Sequence, residues 1–114
     1  MPVISVGRDL ILLKLREQIL SEVNVAICSF SPEEAESEAR SSQPRLWVFC
    51  NTIEFTQLIY LACNVRCFSP NSRLLLLPGI RPVGSEARLF HRILDPDEGI
   101  DEMLRAITRL SSVL

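Results

Sequence analysis

The apolar positions of this chain gather into five short runs, residues 3–6, 24–27, 46–50, 74–77 and 89–94, and most of the gaps between them carry helical spacing. Four or five apolar residues in a row, without polar alternation, suit a strand covered on both faces, as in a parallel sheet. The run Leu46-Trp47-Val48-Phe49-Cys50 follows a turn at Pro44 and precedes polar Asn51 and Thr52, which predicts the buried central strand. In an open parallel sheet, chemistry sits just beyond the carboxyl ends of the strands. Here that point is Cys50-Asn51.

The helical gaps have their own signals. Asp9 caps a helix over residues 10–20, with Leu10, Leu13 and Glu17 along one side, Leu12, Leu15, Ile19 and Leu20 along another, and Lys14, Arg16, Glu17 and Gln18 facing water. Ser31-Pro32-Glu33-Glu34 is the strongest local signal: Ser31 caps, Pro32 fits the first helical position and Glu34 closes a capping box. That helix runs to Arg40, with Ala35 and Ala39 as its buried stripe and its acidic run as a solvated face. Thr52 caps a third helix, residues 53–68, whose inner face is Phe55, Leu58, Ile59, Ala62, Val65 and Cys63. Residues 80–87 contain Pro82 and Gly84 and predict a loop or one short turn. Arg88, Phe90, Arg92 and Leu94 alternate with Leu89, His91 and Ile93, which predicts a fifth strand. Pro96-Asp97-Glu98 opens a last helix with Ile100, Met103, Leu104, Ile107 and Leu110 on one face.

The order β-α-β-α-β-α-β-loop-β-α places the chain in the α/β class. Right-handed crossovers then give a flavodoxin-like, doubly wound, five-stranded parallel sheet in strand order 2-1-3-4-5, with the fourth helix shortened or missing. At 114 residues and 47% apolar, residues 1–114 are expected to form one domain with one core, and Met1 and Leu114 suit a complete chain.

Composition removes several function classes. A net charge of -2 argues against a nucleic-acid surface. No apolar run reaches 18 residues and no signal peptide opens the chain, so no membrane span and a cytoplasmic location are expected. Eleven arginines against one lysine, Lys14, fit a GC-rich bacterial coding sequence. Cys28, Cys50, Cys63 and Cys67 form no Cys-x-x-Cys pair, and His91 is the only histidine. A disulfide framework, a metal site and a cofactor are therefore not expected, even though Cys63 and Cys67 lie one helical turn apart. Packing is expected for these two. His91 reads as a satisfied structural histidine, and Trp47 as a core residue whose indole N–H needs a partner.

The layout resembles the response-regulator receiver domain over nearly the whole chain. Val3-Ile-Ser-Val-Gly-Arg-Asp9 and the helix after it resemble the receiver's first strand and helix, and Pro44-Arg-Leu-Trp-Val-Phe-Cys50 its third strand. The resemblance implies a pocket at Gly7, Arg8, Asp9, Cys50, Asn51, Pro78 and Asp95. At these places the family usually has an acidic pair for Mg²⁺, a phospho-accepting aspartate, a Thr or Ser, and a lysine before a proline. Here Gly7-Arg8, Cys50, Pro78 and Asp95 stand instead. Arg8 cannot ligate a hard cation, Cys50 cannot form an acyl phosphate, Asn51 is a poor acceptor and Pro78 has no hydroxyl.

A vestigial pocket is the expectation, with Arg8 and Asp95 within salt-bridge range and plugging it. The implied function is a phosphorylation-independent, receiver-like protein-interaction module in bacterial signal transduction, not an enzyme. The alternative is a thiol redox sensor or small enzyme using Cys50, with Arg8 lowering its pKa. With the fourth helix reduced, Leu75, Leu77, Leu89 or Ile93 would be left uncovered. A homodimer or protein-partner surface is then expected at residues 80–94 and the last helix, with Ile80, Leu89, His91, Ile93 and Met103 as candidates.

Overall fold

The computed structural model describes residues 3–22, 27–50, 52–77, 84–95 and 97–111. Strands β1 (Val3–Val6), β2 (Ile27–Phe30), β3 (Leu46–Phe49), β4 (Arg73–Leu76) and β5 (Arg92–Ile93) form one parallel sheet in the order β2-β1-β3-β4-β5. Helices α1 (Leu10–Glu22), α2 (Pro32–Ser41), α3 (Phe55–Phe68) and α4 (Ile100–Ser111) connect and cover it. The doubly wound sheet and its strand order are those the apolar runs predict.

The two-residue period of the strands sorts the core into two layers. Ile4, Val6, Trp47, Phe49, Leu74 and Leu76 face α2 and α3, where Ala35, Ala39, Leu58, Leu61, Ala62 and Val65 meet them. Val3, Leu46, Val48, Cys50, Leu75 and Leu77 face α1 and α4, and meet Leu13, Leu20, Ala106 and Ile107. β3 is the hinge of both layers because all four of its residues are buried.

The caps explain where two helices begin. Asp9 Oδ1 accepts from the N–H of Ile11 at 3.0 Å, and Ser31 and Glu34 make the reciprocal capping box with Pro32 in the first turn. α3 begins differently from expectation. Its N-cap is Glu54, and Thr52 Oγ1 instead accepts from the Arg8 N–H across the sheet. Its inner face is Leu58, Leu61, Ala62 and Val65, with Ile59 half-buried; Cys63 and Cys67 are both exposed, so neither is the packing residue expected.

The second strand lies C-terminal to the predicted one, over Ile27–Phe30, while Val25 and Ala26 fall outside the described residues. It is an edge strand and only partly covered, so it does not need an unbroken apolar run. The fifth strand is shorter than predicted. Residues 84–89 coil into a 3₁₀ helix, starting at Gly84 with φ 64°, and the Phe90 N–H bonds back to Ala87. That local bond replaces a ladder bond, and only Arg92 and Ile93 pair with β4. The 3₁₀ turn stands in the connection expected to hold a reduced fourth helix. The last helix begins at Ile100, after the Pro96-Asp97-Glu98 segment rather than at it.

Candidate functional site

The ladder runs one residue past each strand and so fixes the carboxyl edge. Gly7 N–H donates to Phe30 O, Cys50 N–H to Val6 O at 2.9 Å, Leu77 N–H to Phe49 O at 2.9 Å, and Leu94 N–H to Leu76 O at 3.0 Å. Gly7 and Cys50 are thereby pressed together. A Cβ placed on Gly7 would lie 2.9 Å from Cys50 Cβ and 3.2 Å from Thr52 Oγ1. The sequence-predicted residues Gly7, Arg8, Asp9 and Cys50 do converge, joined by Thr52. Asn51 and Pro78 fall outside the described residues.

Arg8 does not reach Asp95. Its guanidinium donates from Nη1 to Glu33 Oε1 at 3.0 Å and from Nη2 to Gln57 Oε1 at 2.6 Å. The expected plug of the pocket is replaced by a bridge toward α2 and α3. The physical reason is local: the Arg8 N–H is tied to Thr52, which aims the side chain at the α2/α3 side, where Glu33 in the first turn of α2 offers a carboxylate. Asp9 spends its carboxylate on the α1 cap.

Cys50 is buried, and its neighbour is Arg16 rather than Arg8. Arg16 Nη1 lies 2.6 Å from Sγ, and Ser5 Oγ lies 3.8 Å away. Burial pushes the thiol pKa above its ordinary value, and the Arg16 charge and the Ser5 and Arg16 contacts only partly oppose it. The expectation of a lowered pKa is overturned because desolvation outweighs the nearby cation. Cys28, Cys63 and Cys67 are exposed. An alkylating reagent on the native protein should therefore add three groups quickly and a fourth only on unfolding, as read by intact mass. Four rapid additions would show that Cys50 is accessible after all.

His91 is a structural residue. Leu74 N–H donates to His91 Nδ1 at 2.9 Å, while His91 N–H donates to Leu74 O, so the ring completes the ladder where β5 has not yet begun. The neutral ring then carries its proton on Nε2. The approach of Arg66 Nη1 at 3.2 Å is thus a cation against an N–H. Burial, then Arg66 and Arg73, lower the pKa from 6.5. The folded protein binds this proton less readily than the unfolded chain does. Stability therefore holds above about pH 6.5 and declines below it until the folded ring itself protonates. His91→Gln, whose amide oxygen can accept from Leu74, should flatten the melting temperature between pH 7 and 5 relative to wild type; parallel curves would remove His91 from the acid sensitivity.

Of the expected interface residues, His91 is exposed and Leu89, Ile93 and Met103 are half-buried. Ile80 is outside the described residues, Leu89 and Ile93 pack against the α2/α3 layer, and Met103 packs against the α1/α4 layer. Leu75 and Leu77 are buried in the α1/α4 layer rather than uncovered. Among the described residues four large exposed apolar side chains lie on α1, Leu10 (67% exposed), Ile11 (73%), Leu12 (41%) and Leu15 (50%); Tyr60 and Phe68 on α3 and Ile100 on α4 are also exposed. Ile11 and Leu15 line an open groove of about 710 Å³ that runs past Lys14 and Gln18 to Ile27.

No family model and no curated protein matches the chain. Solved structures do. A chain in the complex of histidine kinase ThkA with response regulator TrrA superposes with a TM-score of 0.81 at 16% identity, covering 98% of this chain and 100% of that one. A CheY-like receiver domain from Methylobacillus flagellatus gives 0.79 at 14%, covering 96% and 98%. The fold is that of a response-regulator receiver domain. A chain described as adenylate cyclase from Rhodopirellula baltica shares it, with a TM-score of 0.77 at 19% identity over 96% of this chain and 85% of that one. At such identities the likeness carries the fold, and the receiver fold is used by two-component signalling proteins.

Three participants at the carboxyl edge escape a reading of the sequence. Glu33 and Gln57 hold Arg8, and no sequence spacing links them to it. Arg16 had a usable signal. It lies three residues after Leu13 and four before Leu20, the two buried residues of α1, and so shares their face.

Proposed function

We propose that this chain is a receiver-fold docking module that binds a protein partner and works without phosphoryl transfer. The observation that carries this reading is the state of the β3 end. Cys50 sits there buried under Arg16, Arg8 is committed to Glu33 and Gln57, and Asp9 is committed to its helix cap. Phosphoryl transfer through a hard cation needs free carboxylates at these strand ends, and the nearest one is already employed. On this reading Gly7, Arg8, Asp9, Cys50, Asn51, Pro78 and Asp95 are a pocket that has lost its chemistry.

We read the partner as a two-component signalling protein, a reading supported by the match to a chain in a complex of a histidine kinase with a response regulator. The α1 row Leu10, Ile11 and Leu15 is the docking face we favour, because it holds more of the large exposed apolar side chains than any other described element. It displaces the β4–β5–α4 surface as the first place to look, for a homodimer as for a partner. Burial and the raised thiol pKa of Cys50 weigh against the redox-sensor alternative.

The test is intact mass after incubation with Mg²⁺ and acetyl phosphate. No phosphoryl adduct is expected, and none on Cys50→Ala either. A stoichiometric, acid-stable or acid-labile adduct on the wild type would overturn the reading.

A further inference from the structure

On the opposite side of Cys50 from Arg8, a crevice of about 310 Å³ opens between α1, the ends of β4 and β5, and the start of α4. Its walls are Leu77, Leu94, Ile100 and Met103, with Arg16 and Glu98 as its charged side chains. The volume is at the small end of the range for small-molecule sites, and the mix of apolar wall and one or two placed polar groups is typical of them. It also lies outside the carboxyl ends of the strands, where open α/β sheets bind ligands.

The two charges are not equivalent. Glu98 is already satisfied: Oε1 accepts from Arg92 at 2.9 Å and Oε2 from the Asp95 N–H at 2.7 Å. Arg16 is not. Its polar contact among the described residues is Cys50 Sγ, and it has no ion pair there. A half-buried guanidinium has five N–H donors in a planar fork that matches a carboxylate, and here its partner is a neutral thiol. One uncompensated cation facing an apolar crevice is complementary to one negative charge on an apolar body. A phosphate dianion would need more positive charge than the crevice offers.

We propose that this crevice binds a small amphipathic carboxylate, with Arg16 turning from Cys50 to take the carboxylate and Leu77, Leu94, Ile100 and Met103 holding the hydrocarbon. This site stands independently of what α1 docks.

The experiment is a ¹⁵N–¹H NMR titration of the full chain with hexanoate, and separately with hexanamide and inorganic phosphate. Hexanoate should give saturable shifts centred on Arg16, Ile100 and Met103, with hexanamide weaker by about 10-fold or more, the usual worth of a hydrogen bond to a charged group. Arg16→Gln should lose the same factor, and Arg16→Lys should retain part of the affinity. Should Arg16→Gln fail to fold, Met103→Glu decides the matter, since it leaves Arg16 in place and sets a competing carboxylate in the crevice; it should weaken hexanoate equally. Absence of saturable shifts, shifts that hexanamide or phosphate reproduces, or hexanoate binding that survives Met103→Glu overturns the site.

Discussion

Trp47→Ala should lower the unfolding free energy by about 3–5 kcal/mol, a large share of the about 5–15 kcal/mol that holds an ordinary domain together. Trp47 is fully buried in the middle of β3, between Ile4 of β1 and Leu74 of β4. Its ring stacks on Phe49 at 6.3 Å with 12° between planes, and Phe49 meets Phe90 edge-on at 5.9 Å. Truncation opens a cavity at the centre of the α2/α3 layer, and the strands on both sides prevent its collapse. The expected partner of the indole N–H is missing among the described residues: Nε1 is buried without a hydrogen bond. Trp47→Phe should therefore cost much less, because it removes a polar group that is unpaired in the fold while keeping an aromatic ring in place. Urea unfolding followed by far-ultraviolet circular dichroism measures both, since Trp47 is the sole tryptophan and its fluorescence disappears with it. A Trp47→Ala loss under about 1 kcal/mol, or a Trp47→Phe loss equal to it, would contradict this account.

The fold was legible because it rests on burial, and burial writes itself into runs. Leu46–Phe49 and Leu74–Leu76 are apolar on both faces because helices cover both faces, and a continuous run admits few other readings. Capping was legible for a similar reason: Ser31 and Glu34 interact within one turn. What failed was set by the neighbours of an element rather than by its own sequence. The alternation in residues 88–94 is genuine, yet a local 3₁₀ turn satisfied the backbone first. Leu12 and Leu15 look like core residues on a helical wheel, but the sheet meets α1 along Leu13 and Leu20. The site behaved the same way. That Gly7, Arg8, Asp9 and Cys50 meet follows from strand order alone. Which charge faces which does not, because Arg8 and Arg16 each have long side chains that choose between layers. Arg8 went to α2 and α3, and Arg16 took the place beside the thiol.

Gly7→Ala is the second large effect expected, a loss of about 1–3 kcal/mol from overpacking, and its pattern is more informative than its size. Nothing about the Gly7 backbone demands glycine by dihedral angle; the demand comes from Cys50, which the ladder brings to 2.9 Å of a would-be Cβ. The nearest atom is Cys50 Cβ, and Sγ follows at 3.0 Å. Backbone holds that Cβ in place, since Cys50 N–H is bonded to Val6 O and the two strands cannot separate without breaking the ladder. Cys50→Ala keeps the Cβ and removes only the sulfur, so it should not rescue Gly7→Ala, and the two substitutions should add. Cys50→Gly removes both atoms and should relieve part of the clash, giving a positive coupling in a double-mutant cycle. If Cys50→Ala rescued fully, sulfur would be the obstacle and the β1 and β3 ends would be looser than their hydrogen bonds imply. The close approach of the β1 and β3 ends separates two openings at the carboxyl edge, one of about 520 Å³ along Arg8, Asp9 and Thr52 and one of about 310 Å³ on the Arg16 side.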